Sequence, residues 1–288
     1  MSPCEHPSGR QRETGCPVHG RPVLVAPSDH DLTVIIPAFN EEQRLPRTLD
    51  ALTAYLAAWG VDYRVVVADD GSGDATATIT EGRPRCSTIR LARNCGKGCA
   101  VRTAMLAATG RVLAFTDADL PFDLAALRAG YETISEDQYE AVFGARNLAG
   151  SANVAPRRLL RRIATSVFHG VVYCLVPLPV ADTQCGLKLF ARHAALQIFS
   201  RATIDGFAFD TEVVALVQHL GFKFRQIPVK LINEYSSSLS VTRSALPMLR
   251  DVLGLSLRQR FGPGWYEPQI VYESASDAIP SSTRKRAA

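Results

Sequence analysis

The chain has 288 residues, 47% of them hydrophobic and 21% charged, with a formal net charge of +4. This is an ordinary globular composition, long enough for one large α/β domain. The longest apolar run, 171–180, is interrupted by Pro177 and Pro179 and is too short to span a bilayer, so no transmembrane helix is expected.

Residues 1–30 are polar and rich in Pro and Gly, without the apolar core of a secretory signal. They read as a disordered tail, and the protein is expected in the cytoplasm. Cys4 with His6 and Cys16 with His19 have the ligand types of a zinc site, but no apolar residues surround them to fold around a metal. Seven cysteines, an odd number, suit reduced thiols better than a disulfide framework.

From residue 32 onwards strands and helices alternate. Leu32 to Ala38 reads as a buried strand. Leu45, Leu49, Leu52, Leu56 and Trp59 recur at helical spacing, and Gly60 is the stop. Tyr63 to Asp69 reads as a strand, Asp74 to Glu81 as a short helix, Ser87 to Ala92 as a strand, Ala100 to Thr109 as a helix and Arg111 to Asp117 as a fourth strand. Short apolar strands separated by helices predict a mostly parallel, Rossmann-like sheet flanked by helices. Ligands of such sheets bind at the carboxyl ends of the strands. That edge collects Asn40 and Glu41, then Asp69 and Asp70, then Asp117 and Asp119.

Asp117-Ala118-Asp119 places two carboxylates one residue apart at the end of an apolar strand, where alternation points both the same way. A hard divalent cation, Mg²⁺ or Mn²⁺, relieves their repulsion and brings phosphate oxygens of a nucleotide diphosphate with it. The plainer alternative is a solvated strand end, with Asp123 capping the next helix.

PAFNEE (37–42), ADDGSGD (68–74), RNCGKGCAVR (93–102), TDADL (116–120) and DTQCGLKLF (182–190) stand in an order that resembles GT-A glycosyltransferases of family 2. Among these they look most like the dolichyl-phosphate β-glucosyltransferases and bacterial polyprenyl-phosphate relatives. The resemblance spans about residues 31–261 and implies transfer of a sugar, most of all glucose from UDP-glucose, to a polyprenyl phosphate. It also implies a GT-A domain over 31–243, with a nucleotide half at 31–145 and an acceptor half at 146–243. Transfer from GDP-mannose or UDP-GlcNAc to a lipid or a soluble specialised-metabolite acceptor, and a degenerate domain that binds nucleotide sugar without turnover, are the alternatives; the two intact acids argue against the latter.

In the nucleotide half, Pro37, Phe39 and Glu41 suit a loop around a pyrimidine ring, which is uracil in the resembling family. Asp69 and Asp70 precede Gly71 in a tight turn that presents a carboxylate to base or ribose, unless this is only an Asp-Gly turn. Gly96 allows close backbone approach and Lys97 offsets diphosphate charge, in a GKG segment that favours a UDP-sugar by resemblance. Asp117, Ala118 and Asp119 complete the donor site, with Asp117 and Asp119 as metal ligands. Mannosyl relatives carry a glutamine two residues after the second acid, where this chain has Pro121.

In the acceptor half, Arg146 stands where the family has Gly-Ser-Arg, and Arg162 and Ser166 are one helical turn apart. Guanidinium groups and a hydroxyl suit a phosphate monoester, and Gln184 joins them. Asp119, Asp210 and Lys188 are the candidate catalytic residues, although Lys188 also fits a surface strand and Asp210 a helix N-cap. Glu212 is a second acid of the same segment.

Arg157-Arg158 and Arg161-Arg162 suit phosphate or a solvated helix face. Nucleic acid is not an expected partner, because no aromatic-rich basic sheet or recognition helix accompanies them. Residues 244–262 read as a basic amphipathic helix, with Leu246, Leu249, Val252, Leu253, Leu257 and Phe261 among Arg250, Arg258 and Arg260. It suits either the main domain or a membrane surface, which would make the protein peripheral to the cytoplasmic face. Residues 263–288 read as a flexible tail, with Arg284-Lys285-Arg286 as a weak anionic-lipid contact.

Overall fold

The computed structural model describes residues 30–136, 138–148, 151, 170, 175–180, 182–232 and 241–261. Arg157, Arg158, Arg161, Arg162, Ser166, the Cys/His pairs and both expected tails therefore lie outside the described residues.

Seven strands form one sheet: β1 Leu32–Ala38, β2 Tyr63–Asp69, β3 Cys86–Arg90, β4 Val112–Phe115, β5 Ala141–Ala145, β6 Lys188–Ala191 and β7 Phe224–Pro228. Their order is β3-β2-β1-β4-β6-β5-β7. All run parallel except β6, which is antiparallel to both β4 and β5. The helices are α1 Leu45–Trp59, α2 Lys97–Ala107, α3 Ala125–Ser135, α4 Arg192–Phe199, α5 Phe209–His219 and α6 Val241–Phe261.

The expected mostly parallel sheet is present, and its central strands are apolar on both faces because helices cover both. In β1, Leu32, Val34 and Ile36 pack with Leu45, Leu49, Leu52 and Leu56 of α1 and Leu127 of α3. Ile35 faces the other way, into a core with Ala100 and Ala104 of α2, Val213 of α5 and Val252 of α6. Gly60 stops α1 as expected, at φ 79°, with its N–H on the Leu56 and Ala57 carbonyls.

Three of the expected boundaries shift because local contacts turn the chain there. The helix expected over 74–81 is only a 3₁₀ turn at Ala75–Thr78, capped by Asp74, which accepts from the Thr76 N–H at 2.9 Å. α2 starts at Lys97 rather than Ala100, since Gly96 at φ 105° turns the chain directly into the helix. β4 ends at Phe115, and Asp117 and Leu120 then close a turn in which the Leu120 N–H meets the Asp117 carbonyl at 3.1 Å. The two acids therefore stand on a turn, and strand alternation does not govern where they point.

Candidate active site

The carboxyl ends of β1 and β2 are laced together. Asn40 N–H donates to Ser72 Oγ (2.9 Å), Gly73 N–H to Asn40 Oδ1 (3.0 Å), Glu41 N–H to Thr76 Oγ1 (2.8 Å) and Ala75 N–H to a Glu42 carboxylate oxygen (3.1 Å). Pro37 and Ala38 end β1, and Phe39 beyond them is 43% exposed, an aromatic face standing over this rim. The Glu41 carboxylate pairs with Arg44 at 2.8 Å, and burial nonetheless raises its pKa above the ordinary value.

Asp69 is fully buried, accepts from the Ser72 N–H at 3.1 Å and pairs with Arg90 at 3.3 Å. Asp70 does something different. Its two oxygens accept the N–H groups of Cys95 (2.7 Å) and Gly96 (2.9 Å), so the carboxylate holds the turn that launches Lys97. Burial raises its pKa although those N–H groups favour the charged form.

The glycines of the GKG turn approach the chain itself. A Cβ at Gly98 would stand 2.3 Å from the Ile204 carbonyl oxygen, and one at Gly96 would stand 2.4 Å from that of Asp205. Their smallness therefore packs the 204–206 segment against the start of α2. Cys95 in this turn is disulfide-bonded, which corrects the expectation of reduced thiols throughout; Cys86, Cys99 and Cys185 are free.

Behind the rim runs a row of opposite charges. Lys97 Nζ lies 2.7 Å from Asp117 Oδ1 and 3.9 Å from Asp210 Oδ2, and 5.6 Å above the Phe209 ring. Asp210 in turn accepts from Lys188, whose ammonium also donates to the Cys185 carbonyl at 2.7 Å and stands 5.4 Å from the Phe115 ring centre. Lys188 is fully buried, so the surface-strand alternative is excluded, and Asp210 lies inside α5 rather than capping it. The reversed strand explains the meeting: β6 runs against β4 with Lys188 opposite Phe115.

Burial opposes the charge on Asp117, but the Lys97 ammonium outweighs it and its pKa falls below the ordinary value. Asp119 goes the other way. Burial, and then the charge of Asp117, raise its pKa. Together with Arg44, Arg47 and Thr48, Asp119 lines a recess of about 230 Å³. The Ala118 carbonyl between the two acids is tied to the Thr48 hydroxyl at 2.5 Å. Asp123 caps α3 by accepting the Ala125 N–H at 3.0 Å, as expected.

Two residues of this centre have no assigned role among the sequence expectations. Asp182 is buried and binds Arg146 through Nε (2.7 Å) and Nη2 (2.9 Å). The guanidinium fork expected on a phosphate is thus held by a carboxylate, and the pair keeps Asp182 below the usual carboxylate range against the effect of burial. Gly186 is the second: a Cβ there would fall 1.9 Å from Asp117 Oδ2. Both lie inside DTQCGLKLF, so the motif itself is their signal in the sequence. Gln184 donates to Thr211 Oγ1 at 3.1 Å. Glu212 is fully buried and accepts from the N–H groups of Thr203 (2.9 Å) and Ile204 (2.7 Å), so its carboxylate ties the 203–204 segment to α5.

Two carboxylates of unlike environment beside a lysine, on the ligand edge of a parallel sheet, have the oxygen donors that Mg²⁺ or Mn²⁺ prefers. Among the described residues no third carboxylate, His or Cys joins them in a cluster, so a cation here would draw its other ligands from phosphate and water.

Residues 33–199 match the family model described as Glycosyl transferase family 2. The chain is 33% identical over 249 residues to a dolichyl-phosphate beta-glucosyltransferase of Drosophila melanogaster, covering 81% of this chain and 76% of that one. Among solved structures it resembles mannosyl-3-phosphoglycerate synthase from Rubrobacter xylanophilus, with TM-score 0.61 and 17% identity over 81% of this chain and 76% of that one. It also resembles glucosyl-3-phosphoglycerate synthase from Mycobacterium tuberculosis in complex with Mn²⁺, UDP and phosphoglyceric acid, with TM-score 0.60 and 17% identity over 81% and 80%. At such identity the structural likeness is one of fold, the GT-A fold.

Proposed function

The chain belongs to glycosyl transferase family 2, and from that premise we propose that this glycosyltransferase moves glucose from UDP-glucose to the phosphate of a polyprenol of the dolichol type. The observation that carries the reading is the charged row Asp117, Lys97, Asp210, Lys188 beside an intact Asp119, in a chain one-third identical to a dolichyl-phosphate beta-glucosyltransferase. The solved structure with Mn²⁺ and UDP bound supports a uridine donor and a divalent cation on the same fold.

In this reading the rim of Pro37, Phe39, Glu41, Asp69 and Asp70 takes the uridine, and Gly96 and Lys97 face the diphosphate. Asp117 and Asp119 hold Mg²⁺ or Mn²⁺, which when bound supplies charge stabilisation for the departing UDP. A phosphate acceptor is already ionised near neutral pH, so no side chain has to remove a proton from it. The protein's task is to hold the acceptor in line with the anomeric carbon and to keep water out. One displacement inverts that carbon, turning an α-linked donor into a β-linked lipid phosphate. Lys188 fixes Asp210, and Asp210 faces Lys97 beside the donor. Arg146 can meet the acceptor only with the guanidinium edge that Asp182 leaves, which shifts weight onto Arg162 and Ser166.

Contact with the membrane is peripheral in this proposal, from the cytoplasmic face. Among the described residues no helix is long and apolar enough to cross a membrane. α6 turns Val252 and Leu255 into the core and leaves Leu246, Leu249, Leu253 and Leu257 at 41–79% exposure, a stripe suited to a lipid interface.

Donor profiling by mass spectrometry with extracted polyprenyl phosphate tests the substrates: a hexosyl lipid phosphate should form from UDP-glucose, and preference for GDP-mannose or UDP-GlcNAc would overturn the donor. Asp119→Asn should keep the fold and lower transfer by about a hundredfold or more, given the several kcal/mol a cation contributes. Normal turnover by the folded variant would remove the metal from the mechanism.

A further inference from the structure

We infer that Lys97 and the divalent cation use Asp117 in turn: the ammonium is the resting counter-ion of the first acid and moves towards Asp210 and the donor diphosphate when the cation arrives. The inference rests on the reading of Asp117 and Asp119 as the cation's ligands. Four observations of the site carry it.

Asp117 Oδ1 already accepts from Lys97 Nζ at 2.7 Å. Its other oxygen lies in the space that a side chain at residue 186 would fill, 1.9 Å from where that Cβ would stand. Gly186 thus backs one side of the carboxylate while Lys97 stands on the other, and a cation reaching Asp117 meets an ammonium in its way. Two cations on one carboxylate repel, so one of them has to give ground.

The ammonium also has somewhere to go. Asp210 Oδ2 is 3.9 Å from Nζ, and the Phe209 ring lies 5.6 Å below it, so leaving Asp117 does not strand a buried charge. The turn that carries Lys97 is held through Asp70, whose oxygens take the N–H groups of Cys95 and Gly96. The backbone stays in place, and the movement is confined to the four-carbon stem.

The test measures binding of Mn²⁺ itself, by electron paramagnetic resonance of the free ion, to wild type and variants with and without UDP. Without UDP, Lys97→Met should bind Mn²⁺ about tenfold tighter than wild type, the scale of one charge-assisted hydrogen bond no longer competing. UDP should then raise Mn²⁺ affinity less in the variant than in wild type, because no ammonium remains for the diphosphate to draw away. Lys97→Gln, which keeps a donor without the charge, should behave alike and serves if Lys97→Met does not fold. Arg102→Gln removes an equal charge from the same helix, but one bonded to Asp205, and should change Mn²⁺ affinity by no more than about twofold at physiological ionic strength.

Lys97 variants that fold and bind Mn²⁺ no more tightly than wild type overturn the inference. So does an equal gain in Arg102→Gln, which would make the effect one of general field. A wild type that binds no Mn²⁺ even with UDP overturns the metal reading itself and this inference with it, a result distinct from the other two.

Discussion

Around the ends of β1 and β2 the polar side chains bond mostly to backbone, as Ser72, Thr76, Asn40 and Glu42 each accept a main-chain N–H. Around Asp117 the side chains bond to one another, through Lys97, Asp210 and Lys188 and, nearby, Arg146 with Asp182. The first arrangement shapes a loop, and losing one contact leaves a neutral group that water can satisfy. The second balances charge inside the protein, and losing one member leaves its partner buried and uncompensated. Shape at the rim and charge in the interior therefore respond differently to the same kind of substitution.

Asp182→Asn should give the largest effect, because it removes the buried carboxylate that holds the part-buried Arg146 guanidinium; unfolding in urea should show a loss of about 2 to 3 kcal/mol at pH 7. The pH dependence sharpens the comparison. Asp182 is depressed below its ordinary value of 3.8, so its contribution is complete above that value and is lost as pH falls through the lower folded value. Wild type should lose in acid what the variant has already lost, and the two stability curves should converge there. Parallel curves would mean that the pair contributes nothing through charge.

At the rim the expected effects are smaller and fall on binding. Asp70→Ala frees the turn before Lys97 and should weaken UDP about tenfold by calorimetry without acceptor, the scale of one hydrogen bond to a charged group. Glu41→Ala, which removes a partner of Arg44 but no backbone contact of its carboxylate, should weaken UDP by about threefold. Unchanged affinity in both would place the uridine elsewhere.

The smallest effect on stability is expected at the outer face of α6. Leu253→Ser, at a side chain 45% exposed, should change unfolding free energy by less than about 0.5 kcal/mol while lowering co-sedimentation with anionic vesicles. Undiminished vesicle binding would remove α6 from the membrane proposal.

By itself the sequence determined the first four strands, the stop of α1 at Gly60 and, through five ordered motifs, the family. Apolar alternation, helical spacing and turn residues act within a few positions of themselves, so they can be read in one pass. Phe39, Glu41 and Asp119 can be named for the same reason, as each stands within a few residues of the end of a strand.

Only the tertiary structure decided which charge meets which. The spacings are 20 residues from Lys97 to Asp117, 22 from Lys188 to Asp210 and 36 from Arg146 to Asp182, and nothing local marks them. The reversal of β6 between β4 and β5 sets the last two, because it brings residues 182–188 to the end of β4, while Lys97 reaches Asp117 from the start of α2. That is why Arg146 could be expected on a phosphate and is found on Asp182, and why Lys188, readable as a surface residue, is fully buried. The glycines of the GKG turn also make a contact that nothing local marks, since the 204–206 segment that lies against them is about a hundred residues away in the chain. A residue's type tells which partners it can have, and only the path of the backbone brings one of them within reach.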